Sequence, residues 1–284
     1  MVNGKTKTLG VIGDPVSHSL SPAMHNEAIS YLQINYCYLP FLAREGDLKE
    51  AIQGVKSLNI RGINVTMPHK EEVLNYLDKV SKEAREIGAV NTVVNESNEL
   101  VGYNTDGEGF VKSIAEKGYY PEGKSVAVLG VGGAAKSVIY SLAKHGVSKL
   151  KLFNRTYERA KSLASELEQN KSLSAGDIEV HTLDQKHLEG SLDNVDIIIN
   201  GLPIDPIDKE GNLMVPVAKM NKTGLAVDFR YHPEESDFLL FCRQNGLVTM
   251  NGLMMLLYQG VISFQLFTGL DAPVEVMKQA ILSK

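Results

Sequence analysis

The sequence contains no tryptophan and only two cysteines, Cys37 and Cys242, among its 284 residues. Because the cysteines show no CxxC spacing, they suggest neither a disulfide framework nor a zinc site, and we expect a reducing compartment and no metal. The chain also has no excess of positive charge: its 29 Lys and Arg are outnumbered by 34 Asp and Glu, which gives a formal net charge of −5. This charge does not favour nucleic acid or an anionic membrane surface, so any anionic ligand must be held by local groups.

Long uninterrupted apolar runs are missing as well. The N-terminal segment MVNGKTKTLGVIG lacks the long apolar stretch of a signal peptide and predicts a first strand. The uncharged run from Gln244 to Leu270 is interrupted by Asn251 and Gln259 and divided by Gly252. It therefore predicts a strand, a turn and a buried helix instead of a membrane span, and we expect a cytoplasmic protein.

The arrangement of strand-like and helix-like segments indicates the fold class. At 43% hydrophobic and 22% charged, the chain has the composition of a folded protein and is long enough for two domains. Strand and helix patterns alternate, with helices predicted from Pro22, near 47–57 and through the seventies, which is typical of an α/β fold with a mostly parallel sheet. We expect one domain at 1–106 and a second at 107–251, with the last helices, about 252–284, packing back on the first.

A glycine-rich turn opens the second series of elements. In VLGVGGAAKS, Gly130, Gly132 and Ala135 match the G-x-G-x-x-G/A fingerprint, with a strand at 126–129 before it and a helical pattern after it. Glycines at these positions permit a tight turn and bring backbone N–H groups close to a pyrophosphate. The alternative is a glycine-rich turn in an unrelated α/β unit, but the flanking strand and helix favour a dinucleotide site.

The following strand indicates which dinucleotide binds. A site for NAD usually places an acidic residue about 20 positions further on, where it bonds the ribose 2′-hydroxyl. Here KLKLFNRTYER supplies Asn154, Arg155 and Thr156, with Arg159 one helical turn later. Guanidinium groups suit a 2′-phosphate, so the pattern predicts NADP. The alternative is that Arg155 and Arg159 form a solvated helix start.

Polar residues are concentrated in SHSLSPAMHN, NVTMPHK and NTDG of the first series. Ser21 before Pro22 is predicted to cap a helix, whereas Ser19 has no such structural duty. Two hydroxyls at a helix N-terminus would also suit a carboxylate. Asp106 fits either a ligand contact or a first-turn charge, and Lys70 taken alone is more often a solvated lysine.

These segments resemble signatures of the shikimate dehydrogenase family, including its quinate/shikimate relatives. The match runs over nearly the whole chain in order, through GDPVSHSLSPAMHN, INVTMPHK, GAVNT, GYNTDG, GVGGAAKS, NRT and NGLMMLLYQG. Such matches in register are far more specific than any one alone. The resemblance implies an N-terminal α/β substrate-binding and catalytic domain, a Rossmann-type NADP-binding domain, and NADP-dependent reversible reduction of 3-dehydroshikimate to shikimate.

The resemblance also implies individual roles. Lys70 and Asp106 would be the acid–base pair, and Asn64 and Thr66 would lie on the ligand-facing side of a strand that Pro68 ends. The implied substrate contacts are Ser19, Ser21, Thr66, Lys70, Asn91, Asp106, Tyr231 and Gln259. The candidate cofactor residues are Gly130, Val131, Gly132, Gly133, Ala134, Asn154, Arg155, Thr156, Arg159 and Gly252.

Two alternatives remain for the function. A quinate/shikimate enzyme would differ in tolerating an extra ring hydroxyl. A non-catalytic ligand-binding regulator on the same scaffold would not need proton transfer, so the presence of both Lys70 and Asp106 argues against it. The partner implied is a small-molecule substrate, with neither nucleic acid nor membrane, and a homodimer stays open.

Two segments depart from the family pattern. After VDIIIN, the usual Thr-containing loop with a following glycine is replaced by GLPIDPID, around Leu202 and Pro203 on the nicotinamide side. Around Tyr231, DFRYHPEES carries Arg230 and His232, where the family more often has an apolar residue and an asparagine. These changes bear on cofactor affinity and on the finer substrate preference, not on the fold.

Overall fold

The computed structural model describes residues 2–170, 173–174, 176–208 and 210–283. The chain forms two compact units, here called unit 1 (residues 1–109 and 256–284) and unit 2 (residues 110–255). The boundaries expected at 106/107 and 251/252 thus fall three and four residues early. The reason is that the chain changes unit inside two helices, α4 (Asp106–Glu116) and α9 (Leu253–Thr268), where no turn or linker marks the change in the sequence.

Unit 1 contains a six-stranded sheet in the order β2-β1-β3-β5-β6-β4. Strands β1, β2 and β3 pair in parallel, as do β4 and β6, while β5 runs antiparallel to β3 and β6. The sheet is therefore mostly parallel, as predicted. Besides parts of α4 and α9, the elements are β1 (Lys7–Gly13), α1 (Ser21–Tyr31), β2 (Tyr36–Leu42), α2 (Leu48–Ser57), β3 (Gly62–Val65), β4 (Lys79–Val80), α3 (Lys82–Ile87), β5 (Thr92–Glu96), β6 (Glu99–Tyr103) and α10 (Val274–Leu282).

Helix α2 packs its apolar face on the core of unit 1. Helix α2 buries Leu48, Ile52 and Val55, which recur at helical spacing, against the sheet.

The helix predicted through the seventies is wrong, because the chain makes only a 3-10 helix at Glu72–Tyr76 before β4. Asp78 there accepts the backbone N–H of Leu100 at 2.8 Å. This long-range contact with β6 outweighs the local helical preference.

Unit 2 contains a six-stranded parallel sheet in the order β12-β11-β10-β7-β8-β9. This is the doubly wound order, which reverses direction between β7 and β10, and ligands of such sheets bind at the carboxyl ends of the strands there. Strands β7, β10 and β11 are buried and apolar apart from one polar end residue each, as parallel strands covered on both faces require. The elements are β7 (Ser125–Leu129), α5 (Gly133–Lys144), β8 (Lys149–Asn154), α6 (Tyr157–Gln169), β9 (Ile178–Thr182), α7 (Gln185–Ser191), β10 (Ile197–Asn200), β11 (Leu225–Asp228), α8 (Asp237–Gln244) and β12 (Val248–Met250).

The long uncharged run forms the predicted strand, turn and helix, namely β12 followed by α9. Leu257, Phe264 and Phe267 of α9 are fully buried. Among the helices of the described residues, none has the length and apolar character needed to cross a membrane.

Candidate active site

Lys70 and Asp106 form an ion pair in unit 1. The Lys70 ammonium donates to Oδ2 of Asp106 at 2.6 Å, and the two side chains are only 17% and 6% exposed. The backbone around Lys70 is also held, since its carbonyl accepts the N–H of Val90 at 2.8 Å and the neighbouring His69 places Nε2 2.7 Å from the carbonyl oxygen of Ala43. Lys70 is therefore not a solvated surface lysine, and its charge points at a carboxylate.

Asn91 fixes the orientation of the Asp106 carboxylate. Its amide nitrogen donates to Oδ1 of Asp106 at 2.8 Å and to the hydroxyl of Thr105 at 2.9 Å. Its amide oxygen accepts the backbone N–H of Thr105 at 2.9 Å and the hydroxyl of Thr92 at 3.0 Å. Each oxygen of Asp106 thus has its own donor, one from Asn91 and one from Lys70, so the carboxylate plane is set before any ligand binds.

Asn64 belongs to a second polar layer behind Asn91. Its amide nitrogen donates to the hydroxyls of Ser263 and Thr92 at 3.0 and 3.1 Å, and its oxygen accepts the hydroxyl of Tyr38 at 2.8 Å. Only 6% of the surface of Asn64 is exposed, and both ends of its amide bond to other side chains of unit 1. A ligand-facing position for Asn64 stays a prediction. The small amide occupies this strand position because it faces other buried polar groups, which a longer charged side chain would not fit.

Thr66 directly follows the same strand but is less buried than Asn64. It is half-buried just beyond β3, and its methyl group packs against Gly13 of β1. Its backbone carbonyl accepts the N–H of His69 at 3.0 Å, so the turn that leads to Lys70 starts at this residue.

Ser263 was missed by the sequence reading. Its hydroxyl contacts Asn64, lies 2.8 Å from that of Thr92, and donates to the carbonyl of Gln259 at 2.9 Å. The available signal was its spacing, because residues four apart share one helix face and Ser263 follows Gln259 by four in an otherwise apolar segment. Thr92, Thr105 and Tyr38 carried no comparable signal.

Gln259 lies beside Asn91 through a close helix contact. Its Oε1 is 3.4 Å from the amide nitrogen of Asn91, and its Nε2 donates to the carbonyl of Leu256 at 2.8 Å. A Cβ at Gly109 of α4 would lie 2.6 Å from the backbone nitrogen of Gln259. The absence of a side chain at Gly109 therefore lets α9 approach closely enough to place Gln259 in the polar network.

The serines at the start of α1 differ from the predicted capping arrangement. The helix begins at Ser21, and the residue before it, Leu20, makes no side-chain cap, so the prediction of Ser21 as the cap is wrong. The hydroxyl of Ser19 instead accepts the backbone N–H of Ser21 at 3.3 Å, so Ser19 does have a structural contact. Proline is tolerated anywhere in the first turn, which is why Pro22 did not fix the position of the start.

Ser21 connects to the polar network through Tyr38. Burial raises the pKa of the Tyr38 hydroxyl well above its ordinary value, and a hydrogen bond with Ser21 only partly opposes that shift. Tyr38 therefore stays neutral and donates to Asn64. The structure thus brings Ser21, Asn91, Gln259, Lys70 and Asp106 into one connected set of contacts in unit 1.

The fingerprint turn of unit 2 has the geometry of an anion site. Gly130 takes a φ of +87°, which L side chains rarely adopt, and donates its N–H to the carbonyl of Phe153 at 2.7 Å. Gly132 precedes α5 without a side-chain cap, so the N–H groups of Gly133 and Ala134 lie at an uncapped helix start. These groups and the positive end of the helix dipole suit a pyrophosphate.

The end of β8 lies next to this turn. Asn154 accepts the backbone N–H of Val131 at 3.3 Å and donates to the carbonyl of Thr156 at 2.8 Å, so it links the fingerprint to the start of α6. Arg155, Thr156 and Arg159 are exposed there. Where an NAD site has a carboxylate, this strand ends in a neutral amide followed by a guanidinium. The residues present fit the 2′-phosphate of NADP.

Tyr231 and Gly252 also belong to unit 2. Tyr231 is half-buried, burial raises its pKa, and its ring centroid is 5.0 Å from that of His232. Gly252 donates its N–H to the carbonyl of Arg230 at 3.0 Å, and a Cβ there would collide with the carbonyl of Phe229. Gly252 therefore permits a close backbone approach, a packing role that the structure shows directly.

A doubly wound unit with a dinucleotide fingerprint, in one chain with an α/β unit that holds a lysine–carboxylate pair, defines a nicotinamide-dinucleotide-dependent oxidoreductase of two domains. Three family descriptions match the chain: "Shikimate dehydrogenase substrate binding domain" over residues 11–93, "Shikimate / quinate 5-dehydrogenase" over 113–229, and "Shikimate 5'-dehydrogenase C-terminal domain" over 252–282. The chain belongs to the shikimate dehydrogenase family.

Individual relatives are similar over the full length. A shikimate dehydrogenase (NADP(+)) of Desulforamulus reducens is 42% identical, with 99% of this chain and 96% of that protein covered. A crystal structure of a shikimate dehydrogenase in complex with NADP+ superposes with a TM-score of 0.90 at 39% identity, covering 100% of this chain and 97% of the other. The Listeria monocytogenes enzyme in complex with shikimate and NAD gives a TM-score of 0.89 at 33% identity, with 99% and 98% covered.

Proposed function

We propose that this protein catalyses the NADP-dependent, reversible reduction of 3-dehydroshikimate to shikimate. The observation that carries the proposal is the Lys70–Asp106 pair, held at 2.6 Å by the Asn91 network in the unit that matches the substrate-binding domain of the family. In this proposal unit 1 binds the substrate and unit 2 binds NADP. The second supporting observation is the match in sequence and structure to NADP-dependent relatives over the whole chain.

Lys70 and Asp106 would handle the proton. Reduction of a ketone adds a hydride to carbon and a proton to oxygen, and NADPH supplies the hydride when bound. The ammonium of Lys70 would donate its proton to the oxygen as negative charge develops there. Asp106 stabilises the charged ammonium beforehand and holds it in one direction. In the oxidative direction the same groups would accept the proton of the alcohol.

The remaining polar residues would bind and orient the substrate. We assign the substrate carboxylate to the hydroxyls of Ser19 and Ser21, at the positive end of the α1 dipole. We assign ring hydroxyl contacts to Thr66, Asn91 and Gln259, and a further contact to Tyr231. Asn91 and Gln259 already bond inside unit 1, which supports an arrangement that is formed before the substrate arrives.

The cofactor would be held by the fingerprint and by the end of β8. The backbone of Gly130, Val131, Gly132, Gly133 and Ala134 would bind the pyrophosphate. Asn154 orients the neighbouring loop, and Arg155, Thr156 and Arg159 would bind the 2′-phosphate. For Gly252 we propose only that its packing shapes the cofactor side of unit 2. A cytoplasmic location and a homodimer stay predictions.

An absorbance assay of the purified protein tests the function. We expect the absorbance of the reduced cofactor to rise with shikimate and NADP, and far less with quinate or with NAD. Comparable rates with quinate would favour the quinate/shikimate alternative. Binding of shikimate without any turnover would favour the ligand-binding regulator and contradict the proposal.

A further inference from the structure

The two segments that depart from the family pattern contact each other in unit 2. Arg230, which follows β11, forms a bidentate ion pair with Asp205 of the GLPIDPID loop, with Nη2 to Oδ1 at 2.8 Å and Nη1 to Oδ2 at 3.1 Å. Planar fork-to-fork pairs of this kind are strong and directional. The charged residue on one segment therefore has its counterpart on the other.

A buried carboxylate anchors the Arg230 end of this pair. Asp228 is fully buried at the end of β11 and accepts from Nη2 of Arg230 at 2.6 Å and from its Nε at 3.1 Å. Asp228 also accepts from Asn200 at 3.1 Å and from Ser236 at 2.8 Å. The guanidinium is thus fixed to the carboxyl ends of β10 and β11 before it meets Asp205.

Asp205 fixes the loop after β10 to two other segments of unit 2. Its Oδ1 accepts the backbone N–H of Phe238, in the first turn of α8, at 2.9 Å. Burial alone would raise the pKa of the Asp205 carboxyl, but hydrogen bonds from Arg230 and Phe238 outweigh it and hold that pKa below its ordinary value. The loop therefore carries a charged carboxylate with partners on two other elements.

The loop lies at the place where the strand order reverses. Strand β10 pairs with β7, and a Cβ at Gly130 of the fingerprint would lie 2.7 Å from Cδ2 of Leu202. Leu202 thus packs directly on the fingerprint turn. Because a dinucleotide lies across this switch point and Arg155 follows β8 on one side of it, the nicotinamide half belongs on the β10 side.

We propose that the Asp205–Arg230 pair is a positioning device for the nicotinamide half of NADP, acting through Leu202. The pair holds residues 201–205 so that Leu202 stays against the fingerprint and forms an apolar wall on the β10 side. A loop that is ordered in the free protein loses less entropy when the ligand binds. This inference rests on the proposed function in one respect, namely that the dinucleotide is NADP.

The test compares the whole cofactor with its phosphate-bearing half. The variants are Asp205→Ala and the milder Asp205→Asn, with Asp208→Asn as a matched control. Asp208 is a carboxylate of the same loop, and its bonds to described residues are local ones, to Glu210, Gly211 and Asn212. Affinity is measured by NADPH fluorescence and by competition with adenosine 2′,5′-bisphosphate, which lacks the nicotinamide. Hydrogen exchange of the 201–205 amides is measured without ligand.

We expect Asp205→Ala to weaken NADPH binding about tenfold, because the loop would then have to be ordered at the cost of binding energy, while the affinity for the bisphosphate changes less than about twofold. Hydrogen exchange at 201–205 should be faster in Asp205→Ala than in wild type. The NADPH affinity and exchange rate of Asp205→Asn should lie between those of Asp205→Ala and wild type, and Asp208→Asn should match wild type. A merely structural pair would lower the melting temperature but leave the ratio of the two affinities unchanged, which would overturn the proposal. If wild type itself fails to bind NADPH, the proposed function fails instead.

Discussion

At the scale of single residues, Lys70 owes its proposed role to its neighbours. An isolated lysine at the surface would be mobile and hydrated, but this one lies 2.6 Å from a carboxylate in a largely buried setting. Charge-assisted hydrogen bonds are stronger there than in water. The ammonium is therefore held in one direction without needing a ligand to order it.

We expect Lys70→Met to lower kcat by roughly 10² to 10⁴, the range of general acid–base catalysis, because methionine keeps most of the bulk but has no proton to give. NADPH binding, measured by fluorescence, should persist. Lys56→Met is the control, since Lys56 pairs with Asp78 at 2.8 Å at the surface of the same unit. A kcat of Lys70→Met within a few-fold of wild type would remove Lys70 from the mechanism.

Ser263 offers a test of the second polar layer. Replacing it by alanine removes donors and acceptors from Asn64 and Thr92, so Asn91 holds Asp106 less firmly, and we expect kcat to fall about fivefold, the equivalent of one hydrogen bond. Thr268→Val is the control, because Thr268 makes the same type of bond to Phe264 in the same helix. If Ser263 acts through Asp106, Ser263→Ala should have little further effect in an Asp106→Asn background.

Arg155 should decide the choice between NADP and NAD. Arg155→Ala should lower kcat/KM for NADP by about 10- to 100-fold, since charged hydrogen bonds contribute roughly 1.5–3 kcal/mol, and should alter kcat/KM for NAD only a few-fold. Arg243→Ala, an exposed arginine of the same unit paired with Glu235, serves as control. Equal losses for both cofactors would show that Arg155 has only a structural role.

At the scale of elements, glycines set how closely α9 packs in unit 1. A side chain at Gly62 would collide with the ring of Phe267, one at Gly260 with Met24, and one at Gly109 with the backbone of Gln259. The first two neighbours are side chains that have some freedom to move. The third is helix backbone, so it cannot yield without moving α9.

We therefore expect Gly109→Ala to shift Gln259 away from Asn91, lowering kcat/KM for shikimate and the melting temperature together. Gly54→Ala in α2 is the matched control, because Gly54 has open space around its Cα and alanine favours a helix by about 1 kcal/mol. That variant should be neutral or stabilising. Unchanged kinetics in Gly109→Ala would show that α9 can move without consequence for the polar network.

At the scale of the whole molecule, His25 makes stability depend on pH. Its ring is fully buried and stacks on Tyr38 at a centroid distance of 4.3 Å, and among the described residues neither ring nitrogen has a hydrogen-bond partner. Burial lowers its pKa from 6.5 to about 3. Between these values the unfolded chain binds a proton that the folded protein excludes.

The free energy of unfolding should therefore fall as the pH drops below 6.5, by about 1.4 kcal/mol per pH unit from His25, until about pH 3. Urea titrations from pH 7.5 to 5.5 measure this slope, which His25→Phe should reduce. Carboxylates with lowered pKa, such as Asp78 and Asp205, add to the loss only at lower pH. The same slope in His25→Phe would contradict the assignment.

The sequence by itself determined the features that depend on near neighbours along the chain. The two parallel-rich sheets follow from apolar runs broken at strand ends, and the fingerprint turn follows from glycines that alone tolerate its backbone. The absence of a carboxylate at the end of β8 could also be read directly. Even there, the start of α1 was misplaced by one residue, because proline tolerates several first-turn positions.

Only the tertiary structure decided which polar groups meet. Asn64 and Ser263 are 199 positions apart and bond at 3.0 Å, and Arg230 reaches back 25 positions to Asp205. Neither contact has a local signature, because alternation or helical spacing gives the face a side chain lies on but not its partner across the fold. A buried polar atom must find a partner, and that partner is set by the packing of distant segments.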